Sequence, residues 1–379
     1  MRKNELKWVS ALMATVFVPL LAYSDQPMNN MNAYQQSAAQ QPGYEAGEMV
    51  RSGQMPAGYN QTASYVCDNN WDIFVTADYI YWAWNQSTLQ LGTITTQSTG
   101  TSTDTVYTND AIFQSPGYTS GFQTGMGFNM KGMDNWSIYS EYTWYKNTDD
   151  QDFTGTSVNP IVLNSSQFRA DSFTSTTHIE GTLTSKVKMG FQALDFLAQR
   201  PFYFGKKLTA AFSTGLRAQW ISQKYTKTSP LLTDVNTGTT LDDIESIAKQ
   251  TSWSLGPKFA LNSSWLLGYG IKMLGNIAQS ALYTSYNTSN SYNYIRSNGT
   301  SSSDSYLGLQ NYGTISPVTE AFLGLAWGSY FSNDNFHIDL SIGYDFNIYW
   351  NYNMAYTAYS QTEGNMYLQG MNAQLRLDF

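Results

Sequence analysis

The residues of this chain that could do chemistry are two histidines, one cysteine and a set of acids and bases spread through long alternating segments. A hydrolase needs a nucleophile, a general base and an orienting acid in one hydrogen-bonded line. His337 and Asp339 are two apart and share a strand face, but they stand beside a short turn, away from the rim where external substrates would arrive. His178 sits near the opposite end of its own segment, within reach of loop carboxylates such as Asp171. No serine stands out beside either histidine against a background crowded with serine. Both are read as polar wall or rim residues, and no enzyme is expected. One cysteine and two distant histidines offer no metal-ligand spacing. With no phosphate-cradling glycine loop either, no cofactor and no metal are expected.

The acids and bases point elsewhere, because they recur at every second position of segments whose other face is oily. In FHIDLSIGYDFNIYW, Phe336, Ile338, Leu340, Ile342 and Tyr344 oppose His337, Asp339, Ser341, Gly343 and Asp345. LTAAFSTGLRAQW sets Leu208, Phe212, Leu216 and Trp220 against Ser213, Arg217 and Gln219. LTSKVKMGFQA sets Leu183, Val187, Met189 and Phe191 against Lys186, Lys188, Gly190 and Gln192. Period-two alternation is the mark of a strand between two different environments.

Composition says which environments. The chain is 42% hydrophobic and 15% aromatic but only 13% charged, too aromatic and too charge-poor for an average cytosolic enzyme. After residue 24 no run approaches the roughly 18 to 20 apolar residues of a membrane-crossing helix. Residues 1–24, with Arg2, Lys3 and Lys7 ahead of an apolar run and small residues at Ala22 and Ser24, read as a signal peptide. Residues 25–70, rich in Gln, Asn, Pro and Gly, read as a flexible periplasmic N-terminal tail. Residues 71–379 are then the folded domain. Cys67 has no second cysteine in its own chain, so an oxidising compartment leaves it either a plain thiol or a disulfide to another chain. A formal charge of −8 dispersed through loops argues against a nucleic-acid partner.

Ten alternating segments follow, at 71–84, 119–131, 136–146, 179–198, 206–224, 250–262, 265–280, 315–331, 336–350 and 366–379. They exceed the usual strand of about 5 or 6 residues and match the roughly 9 to 11 that cross a bilayer at a tilt. Short connections, at 132–135, 199–205, 263–264 and 332–335, alternate with long ones rich in Ser, Thr and Asn. The expected fold is therefore all-β: a transmembrane antiparallel up-and-down β-barrel with short periplasmic turns and long extracellular loops. Strands hidden in 85–118 or 281–314 would raise the count from ten towards about 14 and widen the lumen. Tryptophan gives a second line of support. Trp71, Trp82, Trp84, Trp136, Trp144, Trp220, Trp253, Trp265, Trp327 and Trp350 fall mostly at segment ends, as in the aromatic girdles of membrane barrels. The chain closes on YLQGMNAQLRLDF, whose final Phe379 looks like the terminal aromatic that the bacterial barrel-insertion machinery recognises.

The pieces WDIFVTADYIYWAW, GFQTGMGFNM, WSIYSEYTWY, GLRAQWISQKY, SWSLGPKFALNSSWLLGYGI and HIDLSIGYDF follow one another much as in the Legionella-type major outer-membrane proteins, which have homologues in environmental chlamydiae. The resemblance covers roughly residues 71–379 and implies a pore-forming outer-membrane barrel. Members often carry several cysteines, whereas this chain has only Cys67.

Alternation then maps the lumen. Lys186, Lys188, Arg217, Lys258 and Lys272 form an expected basic wall, and Asp72, Asp78, Glu141, Glu320, Asp339 and Asp345 an acidic one. Held apart, such walls would steer ions and small polar solutes through a hydrated constriction; in contact, they would plug a barrel serving as a surface adhesin or structural envelope protein. Inward glycines (Gly125, Gly127, Gly190, Gly215, Gly268, Gly270, Gly324, Gly328, Gly343) either widen the lumen or ease packing. In DIFVTADYIYWAW, Asp78 is placed on the acidic wall, while Trp82 and Trp84 are read as marking the outer rim. The partners expected are outer-membrane lipid, ions and small polar solutes.

Overall fold

The computed structural model describes residues 63, 65, 67, 72–86, 89–99, 105–130, 136–156, 159, 161–163, 178–204, 207–229, 233–234, 243–295, 300–356 and 361–379. The expected signal peptide, residues 25–62 of the tail, Trp71 and the short connection at 131–135 lie outside the described residues. In chain order the strands are β1 (Ile73–Gln86), β2 (Gln90–Thr99), β3 (Thr105–Phe113), β4 (Thr119–Met130), β5 (Trp136–Gly155), β6 (Ile161–Leu163), β7 (His178–Tyr203), β8 (Leu208–Ser229), β9 (Thr233–Asp234), β10 (Asp243–Gly268), β11 (Ile271–Ile295), β12 (Ser301–Leu307), β13 (Tyr312–Phe331), β14 (Phe336–Tyr356) and β15 (Gln361–Asp378).

Ten of these close into a ring: β1, β4, β5, β7, β8, β10, β11, β13, β14 and β15, each antiparallel to the next, with β15 returning to β1. Strands do exist within 85–118 and 281–314, but β2 and β3 form a hairpin and β12 pairs only with β11, so they do not widen the ring. The expected turn at 263–264 is displaced. Ser263 and Ser264 lie inside the β10–β11 ladder opposite Gly275 and Leu274, and the chain reverses instead at Tyr269 and Gly270, whose φ values are 55° and 76°. Two consecutive left-handed residues make the tight hairpin whose twist matches antiparallel strands. The β13–β14 reversal uses the same region of φ at Ser332, Asn333 and Asp334, where short polar side chains bear it best.

The outer wall is oily. Phe128, Leu216, Phe259, Leu261, Leu325 and Ile342 are each between 42% and 53% exposed. A continuous belt of this kind is what a bilayer covers. Trp253 and Trp265 bracket the belt on β10, both on the outward face, and Phe336 and Trp350 do so on β14. Strands such as β7 and β10, at 26 residues, are much longer than the roughly 9 to 11 needed to cross. The ring therefore continues past the membrane on the long-loop side. The inward faces of those extensions are where the apolar core collects.

Candidate functional site

The interior is stacked in three layers. At the periplasmic mouth, Tyr65 enters the barrel: it stacks on His337 with ring centroids 4.0 Å apart, and its hydroxyl donates to Asp339 at 3.1 Å. Lys272 donates to that hydroxyl at 2.6 Å and bridges Asp339 at 2.8 Å, while the Arg376 guanidinium lies 5.1 Å from the Tyr65 ring. Burial, with Asp339 beside it, pushes the Tyr65 hydroxyl up to about 12, so it stays protonated as a donor. His337 Nδ1 meets Asp378 at 3.1 Å. Cys67 is 4% exposed and its thiol donates to the Asp378 carbonyl at 3.7 Å. A disulfide to a second chain through Cys67 would require Cys67 to leave this buried position.

At mid-height a polar ring runs around the lumen. Register carries it from Asp78 to Gln123, through Gly125 to Glu141, on to Asp195, Arg217 and Lys258, and back by Glu320, Asp345, Asn372 and Gln374. Its charges are organised unequally. Arg217 grips Asp195 in a two-pronged pair at 2.7 Å and 2.7 Å and also reaches Glu320. Lys258 bridges Asp195 at 2.8 Å and Glu320 at 2.5 Å. The fork of the guanidinium suits a carboxylate held this way. Asp78, Glu141 and Asp345 close no ion pair among the described residues. Asp345 accepts from Trp82 Nε1 at 3.2 Å and Asn372 at 3.0 Å; Asp78 accepts from Gln374 at 3.0 Å, and its other oxygen has no partner among the described residues. These groups line a cavity of about 330 Å³ together with Tyr139, Phe322 and Tyr349.

Above it lies an aromatic layer. Trp84, Tyr145, Tyr286, Tyr349 and Tyr352 are almost wholly buried and pack with Trp82, Val187, Met189 and Phe191. Tyr349 and Tyr352 lie 5.6 Å apart edge to face, as do Tyr286 and Tyr352. Their hydroxyls are satisfied locally, Tyr352 by Ser252 at 2.7 Å and Tyr286 by Ser316 at 3.1 Å. Such polar tips let rings fill a lumen that water would otherwise occupy.

Of the expected lumen residues, Arg217, Lys258, Asp78, Glu141, Glu320 and Asp345 share the mid-height cavity. Lys272 and Asp339 do face inward, but Lys272 is the second residue of β11 and belongs to the mouth rather than mid-height. Asp72 precedes β1 with a φ of 60° and lies at the same end. Lys186 and Lys188 require correction: Val187, Met189 and Phe191 point in, at 1–2% exposed, so the two lysines and Gly190 face out. Lys186 pairs there with Asp150 at 2.5 Å. The same shift of face turned Asp195 inward, making it the one ring carboxylate that the alternation did not identify. Trp82 and Trp84 also require correction, because they face the lumen, at 3% and 1% exposed, rather than marking the outer rim. Inward glycines mostly receive neighbours: Phe74 occupies the space over Gly127, and Phe322 that over Gly324 and Gly343. Phe379 sits edge to face with Phe336, 6.0 Å between ring centroids. The side chain of His178 lies outside the described residues.

A search of curated protein sequences returned no match. Among solved structures, a Pseudomonas aeruginosa FadL homologue aligns at 7% identity and a TM-score of 0.24, covering 81% of this chain and 89% of its own. The Pseudomonas putida toluene transporter TodX aligns at 8% identity and 0.21, covering 81% and 89%. The Ralstonia pickettii toluene transporter TbuX aligns at 8% identity and 0.19, covering 81% and 88%. Superpositions this loose carry no argument beyond the chain's own geometry. The family described as Legionella pneumophila major outer membrane protein precursor matches residues 65–379. The chain, an integral outer-membrane barrel, belongs to that family.

Proposed function

We propose that the barrel is a narrow outer-membrane channel for ions and small polar solutes, with a preference for cations. One observation carries this reading: the mid-height cavity is polar, and its acids outnumber its bases. Five carboxylates (Asp78, Glu141, Asp195, Glu320, Asp345) face three cations (Arg217, Lys258, Arg376) there. Arg217 and Lys258 are already engaged by Asp195 and Glu320, and Arg376 by Asp378, which leaves Asp78, Glu141 and Asp345 to attract mobile cations, as charged walls do in other pores. Conduction requires the rings of Tyr286, Tyr349 and Tyr352 to part and Tyr65 to leave the mouth, so the pore is gated at both ends. Planar-bilayer recording across a salt gradient tests the idea. A reversal potential of cation-selective sign is expected, and the complete absence of current in every salt would remove the channel reading.

The aromatic layer favours a second reading, a closed barrel that anchors its long loops as an adhesin or envelope component. It predicts that same absence of current. We also read the chain as non-enzymatic. Among the described residues no serine or threonine hydroxyl bonds to His337, whose contacts are Asp378, Tyr65 and Tyr330.

A further inference from the structure

We propose that Lys188, Lys224 and Lys249 form a binding site on the outer wall for the phosphate groups of an outer-leaflet glycolipid. The three stand on adjacent strands in direct register, Lys188 opposite Lys224 and Lys224 opposite Lys249. All face outward, since their chain neighbours Val187, Met189, Gln223 and Gln250 are the buried residues. Like charges placed directly opposite one another destabilise a sheet, so the row costs the fold something that a bound anion would return. Among the described residues nothing supplies that anion. The outward Asp150 is taken by Lys186, Glu245 accepts from Asn293 at 2.8 Å, and none of the three lysines closes an ion pair among the described residues.

The wall below the lysines is shaped for the rest of an amphipathic ligand. Two residues down each strand the row reads Gly190, Ser222 and Thr251, small side chains with two hydroxyls. Two further down it reads Gln192, Trp220 and Trp253, also in register. Tryptophan marks the border between hydrocarbon and headgroups. Four residues of a tilted strand rise roughly 10 Å above that border, which brings the lysines to the outer edge of a headgroup zone about 5–8 Å deep, within reach of its phosphates from above. Lysines for phosphate, a shallow hydroxyl-lined shelf for sugar and indoles for the tops of acyl chains therefore succeed one another along three neighbouring strands. A free phosphate ion would use the lysines but not the indoles, which is why the geometry favours the lipid.

The test uses the full chain folded in detergent, with native mass spectrometry reading the lipid retained. The probes are bis-phosphorylated lipid A, its dephosphorylated form and inorganic phosphate. Wild type is expected to retain bis-phosphorylated lipid A, with each of Lys188→Gln, Lys224→Gln and Lys249→Gln weakening retention roughly fivefold and Lys186→Gln leaving it unchanged. The triple variant is used if it keeps the heat-dependent gel shift of a folded barrel, and the single variants otherwise. Wild-type retention in the variants, or equal retention of dephosphorylated lipid A, would overturn the proposal. So would lysine-dependent binding of inorganic phosphate without binding of lipid A.

Discussion

The two sides of the mid-height ring use the same residue types for different ends. Where β7, β8, β10 and β13 contribute, two acids and two bases are locked together, with Arg217 and Asp195 each about 95% buried. Where β1, β5 and β14 contribute, three acids stand with neutral donors or none. Buried ions must recover their lost hydration from partners. The first side does so internally and becomes part of the wall. On the second side that recovery is left to whatever enters the cavity, which is how a fold can hold a charge available for transport.

The largest effect expected from breaking this contrast comes from the locked side. Arg217→Ala would strand Asp195 and Glu320 beside a single lysine, and loss of one partner from a buried cluster costs about 3–5 kcal/mol. Urea unfolding of the lipid-reconstituted barrel should show a loss of that size; a change below about 1 kcal/mol would mean that the cluster is not structural. The unlocked side should behave in the opposite way. Asp78→Asn, Glu141→Gln and Asp345→Asn together should leave stability within about 1 kcal/mol and move the reversal potential most of the way to zero. Unfolding of this triple variant with unchanged selectivity would exchange the roles of the two sides.

The periplasmic mouth offers a smaller perturbation. Tyr65→Ala removes a plug that holds no wall charge of its own, because Lys272 and Asp339 keep their mutual bridge. Stability should fall by about 1–2 kcal/mol, while single-channel conductance or open probability should rise. Unaltered recordings would place the limiting constriction in the aromatic layer above.

Much of this was legible in alternation. Alternation places Arg217, Lys258, Glu320 and Asp345 in the lumen because their strands cross the bilayer, where oily means outward. The rule fails along the extensions of β1 and β7. Above the hydrocarbon the outside is water, the inside is a packed core, and the oily face turns inward. Val187, Met189 and Phe191 therefore face in, and so do Trp82 and Trp84. One residue carried the needed signal. Asp195 lies on the same face as Phe191 and Val187, and keeping that face outward would put a lone carboxylate into lipid at mid-membrane, where a polar partner is absent and the cost is high. Phasing β7 from Asp195 instead of from its longest oily run gives the observed orientation. Tyr65 had no such signal, since its segment has the composition of a linker.

The smallest effect distinguishes these two phasings directly. An inward Lys186 and Lys188 would belong to the basic wall, and neutralising them with Arg217 would push selectivity towards cations. Facing outward, and beyond the hydrocarbon, they are separated from the cavity by the wall itself and screened by salt within a Debye length of about 8 Å. Lys186 and Asp150 are, moreover, about 38% and 52% exposed, a setting in which an ion pair contributes little. Lys186→Gln with Lys188→Gln should accordingly leave the reversal potential unchanged and stability within about 0.5 kcal/mol, in a background where the three-carboxylate variant responds. A shift towards cations would return these lysines to the lumen, and with them the wall of opposed charge that the locked cluster replaces.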